Sequence, residues 1–190
     1  MTQNDVDWRG PAVALLLGLL LFAARPAQAQ ELIDFDLRNH GTVAALFGPG
    51  FVITGSDDLY SWSHALGVVG GSTTLYANPD RELDHGEFLW IVFTSPQGAL
   101  DVSIGFSGWA GSGDMLLDAF GVDGEPLVSE LPVQVSTGVV EVSALADDRP
   151  IAAFRLEALA NQGVRPAFLS FRLVPEPETG GAAAALAALA

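Results

Sequence analysis

The 190-residue chain has no cysteine and no lysine, and its 23 acidic residues stand against 8 bases, all of them arginine. Without thiols there is no disulfide, no thiol nucleophile and no cysteine-ligated zinc or iron–sulfur centre. Whatever fold forms must hold by packing alone. A net charge of −15 repels phosphate backbones and anionic lipid heads, so nucleic acid is not the expected partner, while divalent cations are attracted. The want of lysine beside abundant alanine reads as a genome rich in G and C rather than as a binding device.

Catalytic signatures are missing as well. There is no Gly-x-Ser-x-Gly elbow, no His-Glu-x-x-His, no P-loop and no Gly-x-Gly-x-x-Gly opening a helix after a strand. His40, His64 and His85, with many serines and carboxylates, let a triad be drawn on paper, but no spacing fixes one. The chain is therefore read as a non-enzyme. Cleavage of a glycan would need two facing carboxylates about 5–9.5 Å apart, and no such pair can be nominated from the residues.

What is present falls into three parts. Pro11 to Ala24 is an apolar core around Leu15–Phe22, and Ala27-Gln28-Ala29 offers the small residues that a signal peptidase admits. Residues 1–29 are thus expected to be a secretory signal peptide, helical in its apolar part and cleaved after Ala29. The leader carries two acids (Asp5, Asp7) and two bases (Arg9, Arg25), so its removal leaves the net charge at −15. Residues 30–173 have the length of one domain, large enough to bury a core without staples. Residues 174–190 form a tail.

Stretches that hold a helical period for three turns are almost absent after Leu32. Instead, short apolar or alternating runs are broken by Gly, Asp, Asn and Pro. Leu32–Leu37 and Phe51–Thr54 alternate; Phe88–Thr94 is apolar throughout, the pattern of a strand covered on both faces with Trp90 in the core. Gly98–Phe106 alternates and is expected to form a hairpin with Phe88–Thr94 around Ser95-Pro96-Gln97. Met115–Val122 and Pro126–Val128 flank Asp123-Gly124, a tight-turn signal. Val133–Ser136, Val139–Ser143, Ile151–Leu159 and Ala167–Leu173 complete about ten strands. Ile151–Ala160 also has good helix formers, but its place between strand-like neighbours favours a strand. The expected fold is all-β, an antiparallel sandwich of jelly-roll kind.

Two sites suggest themselves. Asn78–Glu87 holds carboxylates at every second residue, and Asp80, Glu82 and Asp84 could converge oxygens on a calcium ion, which takes six to eight such ligands; a solvated loop is the alternative. Asp57-Asp58 and Asp147-Asp148 read as turns. Aromatic side chains stack on the apolar face of a sugar ring. Trp109 in its glycine-rich loop, with Tyr60 and Trp62 beside serines, are the candidates for carbohydrate, or else aromatics folded back to plug one end of the sandwich.

The tail reads Val174-Pro175-Glu176-Pro177-Glu178-Thr179 ahead of an Ala/Leu run. Two prolines around a glutamate make a stiff, extended stub with no donor for a sheet. Together with the leader, these residues resemble the PEP-CTERM sorting signal of Gram-negative bacteria. The intervening domain is also similar to the jelly rolls that often precede that signal, in its opening Ile-x-Phe strand, its Phe-x-Ser-Pro strand and its Asp-Gly turn. The resemblance implies processing by signal peptidase and exosortase, transient membrane association through the tail, and a place at the cell surface, outer membrane or exopolysaccharide matrix. It brings no catalytic residue with it. Family members continue into a membrane-length span and an arginine cluster, whereas Ala182–Ala190 supplies nine residues and no base. A span needs ~20 apolar residues, so the anchor is expected to be truncated or degenerate. The functional expectation is an exported, non-catalytic surface or matrix protein; the alternative is a lectin-like carbohydrate-binding module with a structural calcium ion.

Overall fold

Apolar residues at every second position have only one economical arrangement, with that side facing a shared core, and the computed structural model follows it. It describes residues 29–35, 41–62, 65–69, 83–107, 114–135, 138–159 and 164–176. The leader up to residue 28 and the tail from Pro177 onward lie outside them. The strands are β1 (Glu31–Asp34), β2 (Gly41–Val43), β3 (Leu46–Gly48), β4 (Phe51–Gly55), β5 (Leu59–Trp62), β6 (Ala65–Val68) and β7 (Phe88–Phe93). They continue with β8 (Ala99–Phe106), β9 (Asp114–Gly121), β10 (Pro126–Gln134), β11 (Val139–Glu141), β12 (Ile151–Ala158) and β13 (Pro166–Leu173). A single helical turn, α1 (Val142–Leu145), sits between β11 and β12.

All pairings between these strands are antiparallel. One layer has six strands in the order β3-β4-β7-β12-β9-β10, and the other has four, β1-β13-β8-β11. The two join at one corner, where Ile151 pairs with Ala99, so the sheet curls into a half-barrel. A further sheet, β2-β5-β6, adds Leu59, Leu66 and Val68 to the same core. This is the antiparallel, jelly-roll-like sandwich that the strand pattern predicts. Among the described residues no helix is long and apolar enough to cross a membrane.

Register explains why the layers close. In β9, Met115, Leu117 and Ala119 are buried while Leu116, Asp118 and Phe120 turn outward. In β12, Phe154, Leu156 and Ala158 point inward, and the pairs Phe154↔Ala119 and Leu156↔Leu117 keep like with like. Good helix formers in β12 lose to this pairing on both sides. From the opposite layer Phe171 of β13 reaches across, 5.0 Å from the Phe93 ring and 5.8 Å, edge on, from Phe51. Phe93 in turn lies 6.2 Å from Phe154. Each such ring contributes about 1.5–3 kcal/mol by burial.

Four expectations need correction. The run Phe88–Phe93 is not covered on both faces: Leu89, Ile91 and Phe93 are buried, but Trp90 is only half-buried and Val92 is 37% exposed. A run without polar residues hides which face is open. Secondly, β7 and β8 form no hairpin. β7 pairs with β4 and β12, β8 with β13 and β11, so Ser95–Gly98 arches from one layer to the other. Gly98 makes the arch possible with φ +74 and a bond from its N–H to the Ser95 carbonyl at 2.9 Å. Thirdly, Pro126–Val128 and the start of the run expected at Val133–Ser136, Val133 and Gln134, belong to one strand, β10, interrupted by bulges; Ser136 lies outside the described residues. Pro132, opposite Leu116, is tolerated on β10 because among the described residues that strand pairs only with β9, and proline in a sheet is confined to such edges and to bulges. Finally, the strand expected at Val139–Ser143 stops at Glu141 and the chain winds into α1. The Asp-Gly hairpin forms as expected, closed by Gly121 N–H to the Glu125 carbonyl at 2.9 Å.

The helical turn has a task. Asp101 adopts φ 53 at a bulge in β8, where its carboxylate meets Arg172 at 2.8 Å. The next N–H, of Val102, donates to Ser143 Oγ in α1 at 2.8 Å, in a buried setting. Ser143→Ala should leave that N–H stranded and lower stability by about 1–3 kcal/mol, measured as a shift in urea midpoint with unchanged slope; a loss under a few tenths would show that the bond is dispensable.

Candidate functional site

The acidic stretch reaches the described residues only at its end. Asp80 and Glu82 lie outside them, while Leu83 bridges to Val164 and Asp84–Glu87 makes a turn packed on the end of β12. Asp84 is fully buried and Glu87 nearly so. Glu87 Oε2 accepts the Asp84 N–H at 2.8 Å, and the Glu87 N–H returns to the Asp84 carbonyl at 2.8 Å. Gly86 N–H donates to the Ala158 carbonyl at 2.9 Å, and His85 Nδ1 bonds the Leu159 carbonyl at the same distance. This end of the stretch is a docked turn, not a solvated loop. Among the described residues no group of three His, Asp or Glu is placed to hold a metal.

Of the aromatic candidates, Trp109 lies outside the described residues. Tyr60 sits half-buried in β5 between its partners Thr42 and Gly67, next to the buried Ser61. Trp62 ends the same strand, its backbone paired with Ala65. In the tail, Val174 is held twice as it leaves β13: its N–H donates to the Gly98 carbonyl at 2.9 Å, and its own carbonyl accepts Ser95 Oγ at 2.8 Å. Pro175 and Glu176 follow outside any strand, both exposed. Pro177, Glu178 and Thr179 lie outside the described residues, as does Ala27; Ala29, at the expected leader cleavage site, is the first residue inside them.

The surface that the sequence pattern did not single out is the outer face of the six-stranded layer. Cross-strand register lines up Phe47, Val52, Val92, Ala153 and Phe120 in one row, and Thr54, Trp90, Arg155 and Asp118 in the next. Phe47 is 72% exposed on the edge strand. Trp90 and Phe120 rings lie 5.3 Å apart and tilted by 41°. In the middle of the face the Arg155 guanidinium lies 4.5 Å over the Phe88 ring, 3.4 Å from Asp118 Oδ2, and in contact with Glu157 Oε2. These pairs are each only partly exposed, 28% for Arg155 against 15% for Asp118 and 24% for Glu157.

Local backbone geometry holds this group in place. Glu130 takes φ 47 at the bulge in β10, and its N–H leaves the ladder to donate to Asp118 Oδ1 at 2.8 Å. Bulges beside functional surfaces commonly re-aim a polar group in this way. With one oxygen on Glu130 and the other on Arg155, Asp118 has a fixed direction. The signal that could have revealed the face is Arg155 and Glu157 at alternate positions of β12, with Asp118 at the matching parity in β9. Charges at that period mark an open side, and any strand beside them shares it.

Comparison with known proteins adds little. No family model matches the chain, and no curated protein does. Among solved structures it is similar to the isomalto-dextranase of Arthrobacter globiformis T6 complexed with panose, at 9% identity and a TM-score of 0.35. That match covers 77% of this chain and 23% of the other, so the chain spans less than a quarter of that protein's length. A likeness at this score carries no argument about what the chain does.

Proposed function

We propose that this chain is an exported, non-catalytic β-sandwich protein of the cell surface or exopolysaccharide matrix of a Gram-negative bacterium, sorted through Val174–Thr179. The observation that carries the reading is the exit of the chain from β13. The last strand ends at Leu173, Val174 is pinned to the arch by two hydrogen bonds, and the chain then runs out through Pro175 to the exposed Glu176. A processing enzyme that grips an extended, donor-poor stub can reach these residues without unfolding a strand. Signal peptidase removes the leader after Ala29, and exosortase acts at the tail.

A fusion of residues 174–190 behind a secreted reporter should be cleaved at its C-terminal end in a host with exosortase, as read by mass spectrometry. Changing Pro175, Glu176 and Pro177 together to alanine should abolish the cleavage. Equal processing in a host without exosortase would defeat the sorting reading.

A second reading is a carbohydrate-binding module, with calcium on Asp84, Asp80 and Glu82 as a structural ion. What favours it is the outer face of the six-stranded layer, where aromatic rings adjoin a fixed set of hydrogen-bonding groups. That pairing of apolar surface with a few oriented polar groups is the usual make-up of a sugar site.

A further inference from the structure

Resting on the carbohydrate reading, we infer that the outer face of the six-stranded layer binds a neutral polysaccharide, with pyranose rings on Trp90 and Phe120 and hydroxyls on Arg155, Asp118 and Glu157. Of the sequence candidates, Tyr60 belongs to the separate β2-β5-β6 sheet and not to this face. Three observations select the ligand class.

The first is shape. Phe47 and Phe120 stand on strands four places apart, and at ~4.8 Å per strand the row between them measures roughly 19 Å. Such a length suits several linked sugar rings rather than one. The second is chemistry at the centre. The cores of protein interfaces favour aromatics and arginine but are depleted of aspartate and glutamate, whereas here two carboxylates share the middle of the face with the guanidinium and the rings. Sugar hydroxyls both donate and accept, so they can meet Arg155, Asp118 and Glu157 without carrying any charge themselves. Because Asp118 is already held by the Glu130 N–H and by Arg155, little ordering is left to be lost on binding. The third is the overall field. At −15, the chain repels a second copy of itself and any polyanionic glycan.

The test is affinity electrophoresis and calorimetry of the secreted chain with dextran, glucomannan and xylan as neutral polysaccharides, and with alginate and polygalacturonate as acidic ones. At least one neutral polymer should retard the protein and the acidic ones should not. Trp90→Ala and Arg155→Gln should each weaken binding by about tenfold or more. Should Trp90→Ala fail to fold, Phe47→Ser, at a site 72% exposed, keeps the fold and should still lower affinity for long chains more than for a tetrasaccharide. Retention by acidic polymers, or neutral binding that none of these variants changes, would overturn this assignment while leaving the carbohydrate reading standing. Retention by no polysaccharide would sink both. Concentration-dependent dimerisation in sedimentation that Phe47→Ser abolishes would overturn this assignment alone, since a second copy would then own the face.

Discussion

Phe171→Ala should cost the folded body about 3–5 kcal/mol, a large part of the roughly 5–15 kcal/mol that native proteins generally possess. The reason is position. Phe171 belongs to the four-stranded layer, yet its ring contacts Phe51 and Phe93 of the other, and it is fully buried. Removing it opens a void where two layers meet, and both sheets are too stiff to collapse into it. Urea unfolding of the chain without its leader and tail should show the midpoint fall with little change of slope. If the alanine variant does not accumulate, Phe171→Leu should fold with a loss of about 1–2 kcal/mol. A loss below about half a kcal/mol in either variant, small beside the usual cost of emptying a core site, would mean that the layers do not share one core.

Gly98→Val should be nearly as harmful, for a different reason. Gly98 has φ +74, and a Cβ there would lie 2.7 Å from the Ile151 carbonyl oxygen and 3.0 Å from its carbon. Backbone cannot step aside as a flexible side chain can. A left-handed residue costs roughly 1–2 kcal/mol, and forcing atoms into filled space roughly 1–3 more. Gly138 offers a control, since it too has positive φ, +80, with nothing within 4 Å of where a Cβ would stand. Gly138→Ala should therefore show the conformational cost alone, ~1 kcal/mol. Equal losses at the two sites, read by thermal melting, would show that the arch tolerates crowding.

Much of the fold could be read from residues whose pattern has one solution. Met115, Leu117 and Ala119 in β9 and Phe154, Leu156 and Ala158 in β12 announce their inner face by alternation, and Asp123-Gly124 announces its turn. Partnership between strands is another matter. A short Ser-Pro-Gln-Gly connection satisfies a hairpin and an interlayer arch equally well, and the choice falls on contacts with β4, β12, β13 and β11 that are distant in sequence. The open face stayed hidden for the same reason. Trp90 stands in an unbroken apolar run and looks like core until β12 supplies Arg155 beside it. Asp84 shows the converse: an aspartate in a charged stretch reads as surface, but bonds from its turn to the Ala158 and Leu159 carbonyls fold it inward. The short strands β2, β3, β5 and β6 carry three or four residues each, too few for periodicity to declare itself.

The placement of the exit has a mechanical meaning. β13 lies between β1 and β8 with antiparallel ladders on both sides, and the chain leaves from its end at Val174. A leash attached there would pull along the strand axis, so the bonds on both flanks would resist together instead of unzipping in turn. Load arriving from the opposite layer would come down the Ser95–Gly98 arch, to which Val174 is itself bonded, so that the strap between the two layers and the point of pull would be one knot.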